Sequence, residues 1–252
     1  MSEKELTVKS NKVLVDLTLD ILNKCKNEGV EIRVLGSIGI FLKCIDYQDV
    51  LNQYRPPILD IDLISRHCYI ESIESIFHCS GFEQNQNFKI LFGYQRRIFY
   101  TSENITIEVF LENLPFNQEI KIDDRLVLDY PTISITDLFL SKIQRIHLEQ
   151  KDFIDLYVLL LQHQSNNKKK NKIDLDYISD LCAKNWNWWK TLKMNIKKLQ
   201  EKKNILDSYN ETIITTLNQI EKAIDSKQKS IKWKMRSLIG EKMKWYKHVE
   251  NN

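Results

Sequence analysis

The chain is poor in the residues that mark fibrous, disulfide-built or membrane-spanning proteins. Glycine occurs only six times in 252 residues, which excludes a collagen-like repeat. A content of 42% hydrophobic and 28% charged residues excludes disorder throughout and is enough to build one large core or two modest ones. Five cysteines, Cys25, Cys44, Cys68, Cys79 and Cys182, form an odd, scattered set with no Cys-x-x-Cys pair. That pattern fits a reducing compartment better than a disulfide framework. The opening Met-Ser-Glu-Lys-Glu-Leu is acidic and polar where a secretory leader is basic and then apolar, so no leader is expected. The longest uncharged run near the N-terminus, Val34 to Leu42, is far short of the ~20 residues that span a bilayer. A soluble, cytoplasmic protein with no membrane partner is expected.

The net charge of +3 hides a division. Residues 165–252 hold 20 Lys and Arg against 10 Asp and Glu, leaving 17 against 24 in residues 1–164. All five tryptophans, Trp186, Trp188, Trp189, Trp233 and Trp245, also lie in the basic part. An asymmetry of this size predicts two modules with different partners, residues 1–164 and a basic, Trp-rich helical domain over 165–252. Between them Gln164-Ser-Asn-Asn-Lys-Lys-Lys-Asn-Lys172 has nothing to bury and reads as a linker or exposed loop.

Hydrophobic periodicity sets out the elements. Val13, Leu14, Leu17, Ile21 and Leu22 predict a helix from about Leu6 to Cys25, with Gly29 at its stop. Val30–Leu35 and Ile58–Ile64 alternate as strands, Ile40–Cys44 and Ile70–Cys79 read as helices, and Phe88–Phe99 and Ile105–Leu111 supply at least two further strands. Ser134-Ile-Thr-Asp137 has the form of a capping box, opening a helix with Leu138, Phe139, Lys142 and Arg145. A second helix runs from Lys151 to Leu161, and only helices follow. Ile205, Tyr209, Ile213, Leu217, Ile220 and Ile224 trace one long stripe, and Ile231, Met235, Leu238 and Trp245 suggest another.

Three pieces carry chemistry. Asp60 and Asp62 sit two apart on a predicted strand, so both carboxylates share one face while Leu59, Ile61 and Leu63 are expected to point into the core. Two adjacent carboxylates stay ionised at neutral pH only beside a positive charge, and a divalent ion with oxygen ligands, Mg²⁺ or Mn²⁺, is the obvious one. Glu108, in Ile105-Thr-Ile-Glu-Val-Phe110, is a third acid on another strand and converges with them if the strands are neighbours. Gly36-Ser37, in the turn after the first strand, offers free N–H groups to phosphate oxygens.

In this order and spacing the pieces resemble the nucleotidyltransferase superfamily of polymerase-beta-like enzymes, and within it the nucleotidyltransferase toxins of abortive-infection toxin–antitoxin systems. The toxin likeness extends to Ser141-Lys142-Ile-Gln-Arg145 and Lys151-Asp152-Phe-Ile-Asp155-Leu156, and the resemblance covers roughly residues 28–161. It implies an α/β (α+β) nucleotidyltransferase fold, a mixed sheet flanked by helices, followed here by an all-helical C-terminal module. It further implies two metal ions on Asp60, Asp62 and Glu108, an NTP held by Gly36, Ser37, Lys142 and Arg145, and Asp152 assisting acceptor activation or orienting Lys142. The third acid of that family is usually Asp where this chain has Glu108. An arginine commonly stands four residues before the first Asp, and Arg55 stands five before Asp60, with Pro56 and Pro57 between.

The expected activity is transfer of a nucleoside monophosphate from an NTP to an acceptor hydroxyl, with RNA or a tRNA end favoured by the basic C-terminal part and a cognate antitoxin as a further partner. An antibiotic nucleotidyltransferase and an inactive RNA- or protein-binding module are the rivals. Lys142 and Arg145 also read as a solvated helix face, with Glu149 four residues beyond Arg145. Trp188 and Leu192 share a helical face, which favours a core role for the tryptophans over base stacking. His67-Cys68 and His78-Cys79 lack the spacing of a zinc finger, and Asp123 and Asp124 read as turn residues.

Overall fold

A computed structural model describes residues 3–165 and 172–248. Most of the expected linker, with Lys168, Lys169 and Lys170, lies outside the described residues. The chain is α+β and mostly helical, and it divides into two compact units, Met1–Pro115 with Glu119–Leu138, and Phe116–Gln118 with Phe139–Asn252. Residues 139–164, grouped on sequence with the first module, belong to the second unit. Among the described residues no helix is long and apolar enough to cross a membrane.

The first unit is built on a five-stranded sheet in the order β1-β2-β5-β4-β3, comprising Ile32–Val34, Asp60–Ser65, Thr106–Leu111, Arg96–Tyr100 and Glu83–Gln84. The sheet is mixed, because β2 and β5 run parallel while the other pairs are antiparallel. Its core face is apolar by alternation. Ile61, Leu63, Ile107, Val109 and Phe99 pack there against α1 (Glu3–Asn27) through Leu14, Ile21 and Leu22, and against α4 (Ile70–Cys79) through Ile73 and Phe77. Helix α1 stops where Gly29 takes a positive φ of 70° and its N–H donates to the Lys26 carbonyl. Between β1 and β2 lie α2 (Gly36–Lys43) and α3 (Gln48–Tyr54). A small hairpin, β6 (Asn113–Pro115) with β7 (Glu119–Lys121), follows the sheet.

Two expectations fail here. Residues Phe88–Phe99 are not all strand, because Gln86–Phe92 forms α5, opened by Asn85, whose side chain accepts the Phe88 N–H. A good N-cap outweighs a short alternation. Leu59 is no core residue either, since it precedes β2 and is 78% exposed.

Helix α6 (Ile135–Ile143) starts in the first unit. The Ser134 hydroxyl accepts the Asp137 N–H, and the buried Asp137 carboxylate also meets that hydroxyl and Arg125 Nε, the latter at 2.7 Å. The cap motif is therefore present, with the acid turned to the Ser134 side chain.

The second unit is helical, with α7 (Gln150–Gln164), α8 (Leu175–Lys184), α9 (Trp186–Glu201), α10 (Asn210–Ser226) and α11 (Ile231–Ile239). Helix α10 packs on α7, α8 and α9, burying Ile213, Leu217, Ile220 and Ile224 with Leu160, Ile178, Trp188 and Leu192. Trp188 is a core residue, as the face it shares with Leu192 predicts, and Trp186 is buried as well. The tail stripe is not one helix. A 3₁₀ stretch, Lys203–Tyr209, precedes α10, and Leu206 leaves helical geometry at φ −126°, ψ 68°. The last stripe is helical over Ile231–Ile239 only, and Ile231, Met235 and Leu238 face outward.

Residues 116–118 join this unit through polar contacts. Asn117 Nδ2 donates to the Lys247 carbonyl at 2.8 Å, and Gln118 Nε2 donates to Thr191 Oγ1 and to the Trp245 carbonyl at 3.1 and 2.9 Å.

Candidate functional site

In the first unit, the sheet face opposite the apolar core carries the acids. The parallel register sets Asp62 beside Glu108 and Asp60 beside Thr106, so all three carboxylates leave one face. Asp60 is exposed, whereas Asp62 and Glu108 are half-buried. Strand β1 runs beside β2 and ends at this face. The Leu35 N–H donates to the Asp62 carbonyl at 3.0 Å, and Gly36 then starts α2 with a φ of 62°. A Cβ at Gly36 would overlap the Asp62 carboxylate and stand 2.8 Å from its Cγ. Glycine is required twice over, for its backbone angle and because the carboxylate lies against its Cα. Asp62 thereby sits at the start of α2, where free N–H groups favour negative charge.

Ser37 is in the first turn of the same helix, and Arg55 Nη2 donates to its hydroxyl. Arg55, five residues before Asp60, thus reaches the turn. Gly36, Ser37, Arg55, Asp60, Asp62 and Glu108 are thus gathered in the first unit.

Glu108 carries a cation of its own. Arg96 Nη1 donates to Glu108 Oε2 at 2.9 Å. In the antiparallel register Ile98 faces Glu108 and Arg96 faces Phe110, so Arg96 is the diagonal neighbour on the same face. Burial pushes the Glu108 carboxyl above its ordinary range; Arg96 opposes that shift and the charge of Asp60 adds to it. Sequence reasoning missed Arg96. The only signal for it was the alternation around β4, and its partner appears only once the strand register is known.

Among the described residues, no group of three His, Cys, Asp or Glu side chains is placed to hold a metal ion. Two carboxylates are, however, a common protein share for Mg²⁺, which fills its other positions with water and substrate phosphate. Asp60 and Asp62, the second wedged against Gly36, fit that role.

Lys142, Arg145 and Asp152 come together in the second unit, with Asp155 added. Lys142 is buried, with Nζ 2.8 Å from Asp155 Oδ2 and 3.7 Å from Asp152 Oδ1. Arg145 Nη1 stands 3.3 Å from Asp152 Oδ1. Asp152 also closes a capping box at the start of α7, where its Oδ2 accepts the Glu149 N–H at 3.0 Å and the Glu149 side chain accepts the Asp152 N–H. Asp152 and Asp155 are fully buried, while the Arg145 side chain is 39% exposed. Lys142 is therefore no solvated residue, and Arg145 is the more open cation.

No known protein family, curated protein or solved structure matches this chain.

Proposed function

We propose that this chain is a metal-dependent nucleotidyltransferase of the nucleotidyltransferase fold, moving a nucleoside monophosphate from an NTP to an acceptor hydroxyl. The observation that carries this reading is the Asp62 carboxylate seated against the Gly36 Cα at the start of α2, on a sheet face shared with Asp60 and Glu108. In this reading Asp60 and Asp62 hold Mg²⁺ or Mn²⁺. Such an ion, when bound, lowers the pKa of a hydroxyl and offsets phosphate charge. The Gly36-Ser37 turn presents N–H groups and the Ser37 hydroxyl to the triphosphate, and Arg55 orients that hydroxyl. Lys142 and Arg145, expected to contact phosphate, are met within the helical unit by Asp152 and Asp155, and this reading leaves the triphosphate to the Gly36-Ser37 turn.

The acceptor is RNA in this reading. The C-terminal part carries twice as many basic as acidic residues, and Lys232, Lys234, Lys242, Lys244 and Lys247 are all exposed. Phosphate neutralisation by such lysines makes affinity fall with salt, with a log-log slope of about −0.7 per phosphate on a single strand.

The test is incubation with each labelled NTP, Mg²⁺ and total RNA. Label on RNA that EDTA abolishes is the expected result. RNA affinity with that salt slope but no NTP turnover would indicate a binding module. Turnover with label only on a small hydroxylated drug would indicate the antibiotic-modifying alternative.

A further inference from the structure

We infer that Arg96 stands where a second cation would otherwise be needed, so that this site takes one divalent ion, on Asp60 and Asp62, and Glu108 does not ligate it. The inference rests on the nucleotidyl-transfer reading of the same carboxylates and departs from the two-ion arrangement that the family resemblance implies.

The pair is fixed by the sheet. Arg96 and Glu108 are diagonal neighbours on adjacent antiparallel strands, and their contact is 2.9 Å long. The guanidinium carbon lies 4.8 Å from the Phe88 ring centre and 5.8 Å from that of Phe110, so two aromatic rings hold it as well as the carboxylate. Arg96 and Glu108 side chains are 26% and 22% exposed, partly withdrawn from the water that would screen their attraction. Freeing Glu108 for a metal would break the charge-assisted hydrogen bond and leave the guanidinium facing the incoming ion.

The identity of the third acid fits the same account. Glutamate is one methylene longer than aspartate, which gives it reach towards the diagonal strand neighbour.

Counting bound Mn²⁺ by electron paramagnetic resonance, on the full chain with a non-hydrolysable NTP analogue, tests this without reading activity. One ion per chain is expected in the wild type, and two would overturn the inference whether or not any variant folds. Arg96→Met keeps an unbranched apolar side chain but removes the charge, and the expected count rises from one to two. Arg96→Lys keeps the charge and is expected to stay at one. A count of one in Arg96→Met, with the protein folded by circular dichroism, would also overturn the inference, because Glu108 would then be no ligand even when free. Asp62→Asn should lose the ion. An unchanged count there would sink the underlying reading of the site, a failure separate from that of Arg96.

Discussion

Two groups of carboxylates, one in each unit, handle charge in opposite ways. In the helical unit, Asp152 and Asp155 are fully buried and are met by Lys142, Arg145 and the α7 cap. In the sheet unit, Asp60 is exposed, Asp62 is half-buried against Gly36, and Glu108 keeps Arg96. Buried charges survive only with internal partners, whereas acids at a more open face remain accessible to a cation from solution. Substitution should therefore damage the fold at the buried group and ligand binding at the open one.

The contrast breaks most visibly at Lys142. Lys142→Ala leaves two buried carboxylates short of their lysine and should cost about 3–5 kcal/mol in urea unfolding. Asp60→Asn, at an exposed position, should change stability by less than about 0.5 kcal/mol. Equal effects would show that the two carboxylate groups are alike. Arg145→Ala, with a partly exposed side chain, should fall between them.

Gly36→Ala comes next. The added methyl meets the Asp62 carboxylate at a positive φ, so a loss of about 1–3 kcal/mol and weaker Mn²⁺ binding are expected. A folded variant with unaltered ion affinity would show that Asp62 need not rest on this glycine.

A smaller effect should follow pH in the helical unit. His163 Nδ1 accepts the Ile173 N–H at 2.9 Å, and burial first, then Lys172, lowers its pKa. The unfolded chain takes up this proton more readily, so the contribution is complete above about pH 6.5 and is lost as pH falls through the lowered folded value. The urea midpoint should drop between pH 7.5 and 5.5, and less so in His163→Gln. An identical drop in that variant would assign the effect to other groups.

Much of this was legible from local pattern. Helix α4 occupies the expected Ile70–Cys79, strand β5 nearly all of Ile105–Leu111, and Asp60, Asp62 and Glu108 share a face because their strands pair in register. What stayed hidden depends on partners distant in sequence. The Asn85 cap turned an alternating run into α5, a break at Leu206 divided the tail stripe, and Asn117 and Gln118 took a short segment into the other unit. The burial of Lys142 and the pairing of Arg96 with Glu108 likewise need the packing and the strand register, which periodicity does not contain.

The most direct measurement of the central claim is transfer of α-labelled NTP to RNA by the wild type and by Asp62→Asn, at equal concentration and with their melting temperatures compared. The account predicts label on RNA from the wild type, at least a hundredfold less from the variant by an order-of-magnitude allowance for a lost catalytic charge contact (~10²), and nearly equal melting. Undiminished transfer by folded Asp62→Asn would contradict it.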